Sequence, residues 1–154
     1  MNTIKLSTWT HLKRLLVLVE QYYSSTNVYD CTFPVLAGDI ARQFSNTKNN
    51  AFYMVEDGDK DVGFLSIYLD TTMLHNEMWI EAAYFIENYR KKGLFREHFL
   101  PIIFDLDRMM GIKRTKFSAD IDKEVWEHIT GRPVRVEKIM VIDHISEEQD
   151  ATLT

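Results

Sequence analysis

Three features of the sequence predict an α/β (α+β) fold around one mixed sheet. Apolar residues first recur at helical spacing, at Leu12, Leu15, Leu16 and Val19. The period then becomes that of strands: 51-AFYMVE-56 and 62-VGFLSIYLD-70 flank the acidic, glycine-containing turn 57-DGDKD-61. A long amphipathic helix follows, bounded by Gly93 and Gly111. The resulting order is β-α-α-β-β-β-α-β-α-β, which gives a mostly antiparallel sheet with flanking helices.

Each element has a local reason. The first strand is 2-NTIKL-6, and Ser7 or Thr8 can cap the helix that carries Leu12 to Val19. Residues 23–34 read as a loop. The second helix, 35-VLAGDIARQFS-45, puts Val35, Leu36, Ile40 and Phe44 on one side, and the polar run 46-NTKNN-50 closes it. After the hairpin, 71-TTMLHN-76 leads into a third consecutive antiparallel strand, 77-EMWIEAAYFI-86. In the next helix Phe95, Phe99, Ile102, Ile103, Leu106 and Met110 form one stripe. Pro101 inside it removes a backbone hydrogen bond and predicts a bend. A strand at 112–119, a short helix at 121–130 capped by Asp120 and ended by Gly131 and Pro133, and a last strand at 134–143 complete the order. One domain is expected over 1–144, with 145–154 as a flexible C-terminal tail.

Composition narrows the function classes. A chain of 154 residues suits one domain with a real core. A net charge of −5 argues against nucleic-acid binding by the whole surface, and no nucleic-acid partner is expected. The single cysteine, Cys31, excludes an internal disulfide and a multi-cysteine metal site. His11, His75, His98 and His144 show no metal spacing and read as surface or cap residues, so no metal is expected. No apolar run approaches the about 20 residues that span a bilayer. The first residues lack an apolar signal core. The expectation is a cytoplasmic protein with no membrane partner.

One stretch carries chemistry: 84-YFIENYRKKGLFREHF-99. Four cations (Arg90, Lys91, Lys92, Arg96) surround Gly93 where a strand passes into a helix. This is either a solvated turn or an anion site. The first helical turn presents unpaired N–H groups and a partial positive charge, and both favour phosphate. Gly93 lets a phosphate approach the backbone.

The element order, with 85-FIENYRKKGLF-95 and 119-ADIDKEVWEHITGRPVRVEKIMVI-142, resembles the GNAT superfamily of acyl-CoA N-acyltransferases over roughly residues 3 to 143. In that family Arg/Gln-x-x-Gly-x-Gly/Ala opens a helix. Here Arg90-Lys91-Lys92-Gly93-Leu94-Phe95 keeps the Arg and the first Gly and replaces the last small residue by Phe95. The resemblance implies acetyl-CoA (coenzyme A) as cosubstrate, with its pyrophosphate on the amides of Lys92 to Arg96 and its pantetheine along Phe85 and Ile86. It implies transfer of an acetyl group to an amine. The acceptor would be a small-molecule amine or a protein lysine, and the acidic surface favours a cationic one.

Alternation along 77–86 puts Glu77, Trp79, Glu81, Ala83 and Phe85 on one face. Glu81 is therefore the candidate general base, walled by Trp79 and Phe85, with Glu77 second. Family members often protonate the thiolate with a Tyr where Trp126 stands here. His128 is the nearest substitute, and Tyr84 and Tyr89 are remoter ones. Among the aromatics near the first helix, which often wall the acceptor site in such proteins, Trp9 and Tyr22 read as core. A homodimer is left open. Two rivals stand beside the enzyme: a catalytically silent GNAT-like structural or interaction protein, as in some phages, and an unrelated α/β domain whose basic loop binds nucleic-acid phosphate with steep salt dependence.

Overall fold

The computed structural model describes residues 1–26, 30–72, 75–117 and 123–137. Five strands form one sheet in the order β1-β2-β3-β4-β5, so strand neighbours in sequence are neighbours in space. β1 (Asn2–Lys5), β2 (Asn50–Asp57), β3 (Lys60–Asp70) and β4 (Glu77–Phe85) are antiparallel, and β5 (Arg114–Phe117) runs parallel to β4. The β2–β3 hairpin closes at Asp57↔Lys60, tighter than the turn read from the sequence. β5 is shorter than expected. Of the last predicted strand, 134–137 are irregular, and the rest lies outside the described residues together with the tail.

α1 (Trp9–Ser25) and α2 (Phe33–Ser45) cover one face of the sheet. Thr8 caps α1: its hydroxyl accepts from the His11 N–H at 3.2 Å, while His11 Nδ1 accepts from Ser7 N–H at 3.1 Å. Leu12, Leu15, Leu18, Val19, Leu36 and Ile40 pack onto Phe52, Met54, Phe64 and Tyr84. Tyr22 joins this core, edge-on to Phe64 with ring centroids 5.9 Å apart. Trp9 does not: it is 68% exposed, because the first turn of α1 starts beyond the edge of the apolar stripe. Val35, one residue before the buried Leu36, is likewise exposed.

The opposite face carries Val55, Leu65, Ile67 and Met78, all fully buried. The helix that starts at Leu94 covers it. Its first part is a π-helical turn, Phe95–Phe99, and its main part is α3, Leu100–Met110, which stops at Gly111. Leu100 N–H reaches back to Phe95 O, five residues earlier. Pro101 therefore sits near the N-terminus of α3, where its missing N–H leaves no gap in a regular ladder. Just before this proline the helix widens locally into the π turn. Phe99 stacks on Phe85 at 4.9 Å, and the Phe85 ring lies over Gly63. A Cβ at Gly63 would stand 2.5 Å from that ring, so only glycine fits there. His98 departs from its expected surface position. Its side chain is 10% exposed, and Nδ1 meets the Thr3 hydroxyl at 2.9 Å, tying the helix to β1.

The sheet with α1 to α3 makes one unit, Met1–Asp120. A second unit, Ile121–Thr154, contains α4 (Lys123–Thr130). Within it the Thr130 hydroxyl bonds the Trp126 carbonyl at 2.7 Å and closes the helix end. Among the described residues no helix is long and apolar enough to cross a membrane.

Candidate active site

The site is built on β4, and its central feature is a break in the strand's register. Ile67 pairs with Ile80, whereas the next residue back on β3, Ser66, pairs with Ala82. Glu81 is the extra residue of a β-bulge. The bulge resets the alternation. Glu77 and Trp79 face α1 and α2, and so does Tyr84 beyond the bulge, whereas Met78, Ile80, Ala83 and Phe85 face α3. Strict alternation had put Glu81 and Phe85 on one face. The structure separates them, with Glu81 in a cleft beside α2 and Phe85 stacked beneath the α3 helix. Phe85 does not wall Glu81.

The cleft has a volume of about 310 Å³ and is lined by Asp39, Arg42, Gln43, Asn46, Asn50, Tyr68 and Glu81. Glu81 makes no hydrogen bond or ion pair with any described residue. Its carboxyl is pushed above the ordinary glutamate range, first by partial loss of hydration and then by the negative charge of Asp39. The side chain still reaches solvent, so the bulge withdraws only part of its water.

Glu77 lies in a different setting. It is 8% exposed, with Lys116 Nζ at 3.2 Å and Arg114 at 3.8 Å. Lys116 also sits 5.1 Å above the Trp79 ring. Glu77 thus ties β4 to β5. The ladder between these strands runs from Glu77↔Arg114 to Ile80↔Phe117. Among the described residues nothing pairs with that edge of β4 from Glu81 onward.

β4 ends in the basic loop. A 3₁₀ turn, Glu87–Tyr89, precedes Arg90, whose Nε donates to the Phe85 carbonyl at 2.8 Å while its guanidinium lies 5.2 Å from the Tyr84 ring. Tyr89 anchors the loop to the β2–β3 hairpin: its hydroxyl donates to Asp57 at 2.6 Å, which holds the phenol above its ordinary pKa. Lys60 and Lys92 each sit 5.7 Å from the Tyr89 ring. Two residues then take positive φ, Lys91 at 58° and Gly93 at 72°. Lys91 is strained in this region. Such reversals turn successive N–H groups toward one side, the arrangement that binds anions.

The helix begins at once, with Glu97 N–H bonded to Gly93 O at 3.1 Å, so the amides of Leu94, Phe95 and Arg96 belong to its first turn. A Cβ built on Gly93 would occupy open space, the room a phosphate would need. The Phe95 ring turns inward, edge-on to Phe99 at 5.8 Å. Amides and shape therefore fit a pyrophosphate, and the cations frame it: Arg90 folds back on its own strand, and Lys91, Lys92 and Arg96 are exposed.

Ile86 continues the β3–β4 ladder through its N–H to Val62 O at 3.0 Å. His128 is exposed on α4, in the second unit. Cys31 is a free thiol whose carbonyl accepts from the Tyr23 hydroxyl at 2.6 Å. Among the described residues no three His, Cys, Asp or Glu stand where a metal could be held. Sequence reasoning missed the α2 side of the cleft, above all Asp39. One signal for the bulge was present: the apolar residues change parity, from Met78 and Ile80 to Ala83 and Phe85.

The sheet and its flanking helices match those of solved acetyltransferase structures, and the chain shares their fold. No family model and no curated protein matches the sequence. Solved structures do. A possible acetyltransferase from Clostridium difficile 630 is 15% identical, with a TM-score of 0.76 over 94% of this chain and 98% of that one. An aminoglycoside acetyltransferase from an uncultured soil metagenomic sample, in complex with sisomicin, is 14% identical, with a TM-score of 0.66 over 95% and 96%. Glucosamine-6-phosphate N-acetyltransferase from Arabidopsis thaliana is 14% identical, with a TM-score of 0.65 over 95% and 100%.

Proposed function

We propose that the protein is an N-acetyltransferase that moves the acetyl group of acetyl-CoA to the primary amine of a small molecule. One observation carries the reading. A single strand holds, at a bulge, a carboxylate without a partner among the described residues and then runs into a turn of positive-φ residues at a helix start. The similarity to solved acetyltransferases, two of them named for small-molecule amines, supports it.

The amides around Gly93 would hold the pyrophosphate, and the edge of β4 from Glu81 to Phe85, which no described residue pairs, would pair with the pantetheine amides. Acetyl-CoA supplies an activated thioester. Glu81, directly or through a water, takes one proton from the acceptor ammonium, and its raised pKa suits that task near neutrality. The amine nitrogen then bonds to the carbonyl carbon as the carbon–sulfur bond breaks. The thiolate leaves, and the second nitrogen proton neutralises it. Tyr84 and Tyr89 remain the candidates for delivering that proton.

The test is calorimetry with acetyl-CoA followed by thiol release with a panel of amines. Micromolar binding and amine-dependent thiol release are expected. Absence of acetyl-CoA binding at millimolar concentration contradicts the reading. Trp126, where relatives keep a Tyr, favours a second reading, a silent module; binding without thiol release for any amine would support that instead.

A further inference from the structure

We propose that Asp39 selects the acceptor, and that the cleft takes a small primary amine carrying a second protonated nitrogen. This rests on the transfer reading above and makes it specific. The reacting nitrogen would sit at Glu81, and the second ammonium would sit on Asp39.

Four observations carry it. Every side chain lining the cleft carries a polar group: two carboxylates, one guanidinium, three carboxamides and a phenol. Among the described residues none of these side chains is aliphatic, so the polar groups of a guest find partners there. The charges do not balance. Among the described residues lining the cleft, Asp39 and Glu81 are opposed only by Arg42, whose side chain is 80% exposed. A phosphate or carboxylate on the acceptor would meet this excess of negative charge and be disfavoured.

Asp39 is also held in place with capacity to spare. Oδ1 accepts from Arg42 at 2.5 Å and Oδ2 from Gln43 Nε2 at 3.0 Å. Each carboxylate oxygen can accept a further bond. The Arg42 pair is exposed and spaced i,i+3, a type worth little, so an arriving ammonium can share or displace it. Finally, Asp39 acts on Glu81 through space, raising its pKa. An ammonium on Asp39 would cancel that field and leave Glu81 to one nitrogen.

The experiment compares three probes of equal chain length: 1,4-diaminobutane (dication), butylamine (monocation) and 4-aminobutanoate (zwitterion). Binding is measured by calorimetry on the protein with coenzyme A present, and turnover by thiol release with acetyl-CoA. The diamine is expected to bind about ten-fold more tightly than butylamine and to exceed it about ten-fold in kcat/KM, and 4-aminobutanoate to be the weakest. Asp39→Asn should bring the diamine-to-butylamine ratio toward one. Arg42→Gln should raise the ratio, an opposite sign that damage to the fold would not produce. Equal binding of diamine and butylamine to the wild type, or a ratio unchanged in Asp39→Asn, would overturn the proposal. The two readings fail separately. Diamine preference in binding without thiol release contradicts transfer and keeps the selectivity, and thiol release without preference does the reverse.

Discussion

Within β4, Glu77 and Glu81 are four positions apart on one strand and face the same side of the sheet, yet their surroundings differ in kind. From Glu77 to Ile80 the strand is laddered on both edges, and the Glu77 carboxylate is buried between Lys116 and Arg114. From Glu81 onward the β5 edge is open among the described residues, and the carboxylate has no partner there. A bulge of one residue divides the two regions. Residue type does not decide which carboxylate is available for chemistry. Backbone pairing does, since it sets which side chain is enclosed by counter-charges and which is presented to a cleft.

The comparison can be broken from either side, and four substitutions are expected to rank as follows. Gly93→Val strains a residue at φ 72° and fills the space over the amides. Acetyl-CoA affinity should fall by about 100-fold or more, read by calorimetry, with a strain cost of about 1–3 kcal/mol in the fold. Glu81→Gln should lower kcat/KM by about 10²-fold, with acetyl-CoA Kd unchanged.

The stability of Glu81→Gln should move the other way. Folding raises the Glu81 pKa, so between its ordinary value and its raised one the unfolded chain ionises first, and stability falls as pH rises through that window. Above the folded pKa the cost is complete, and the neutral Gln removes it. A small rise in Tm at pH 7, absent at pH 3, is expected by calorimetric unfolding. Glu77→Gln is expected to act on stability before rate: Lys116 and Arg114 lose their buried counter-charge, at about 1–3 kcal/mol by chemical denaturation. Tyr89→Phe removes the loop's bond to Asp57, and acetyl-CoA affinity should weaken by about 3- to 10-fold with little change in Tm.

Legibility in the sequence followed the range of the interactions. The hairpin, the stripe from Phe95 to Leu106 and the basic turn at Gly93 depend on neighbours a few residues apart, and each lies in its predicted stretch, although the hairpin turn is tighter and Met110 at the end of the stripe is exposed. The Phe95 ring turned inward for the same reason, since its stripe neighbour Phe99 was already readable. The site's other half was not legible. Asp39 and Glu81 line one cleft only because α2 packs on that face of the sheet, and nothing local in either stretch announces it. The bulge left only the parity change of apolar residues. Trp9 and His98 exchanged their expected places because a first turn can overhang the sheet and because Thr3, far away in sequence, supplies His98 with a partner.

The central claim is that the carboxylate at the bulge is the working base beside a coenzyme A cradle. Its most direct test is the pH dependence of thiol-release kcat/KM for the wild type and Glu81→Gln, with acetyl-CoA Kd measured in parallel. The account predicts a wild-type rate that rises with pH through one ionisation above the ordinary glutamate value, and a variant that loses both the limb and the rate at unchanged Kd. A Glu81→Gln protein with the wild-type rate and the same acid limb would contradict it.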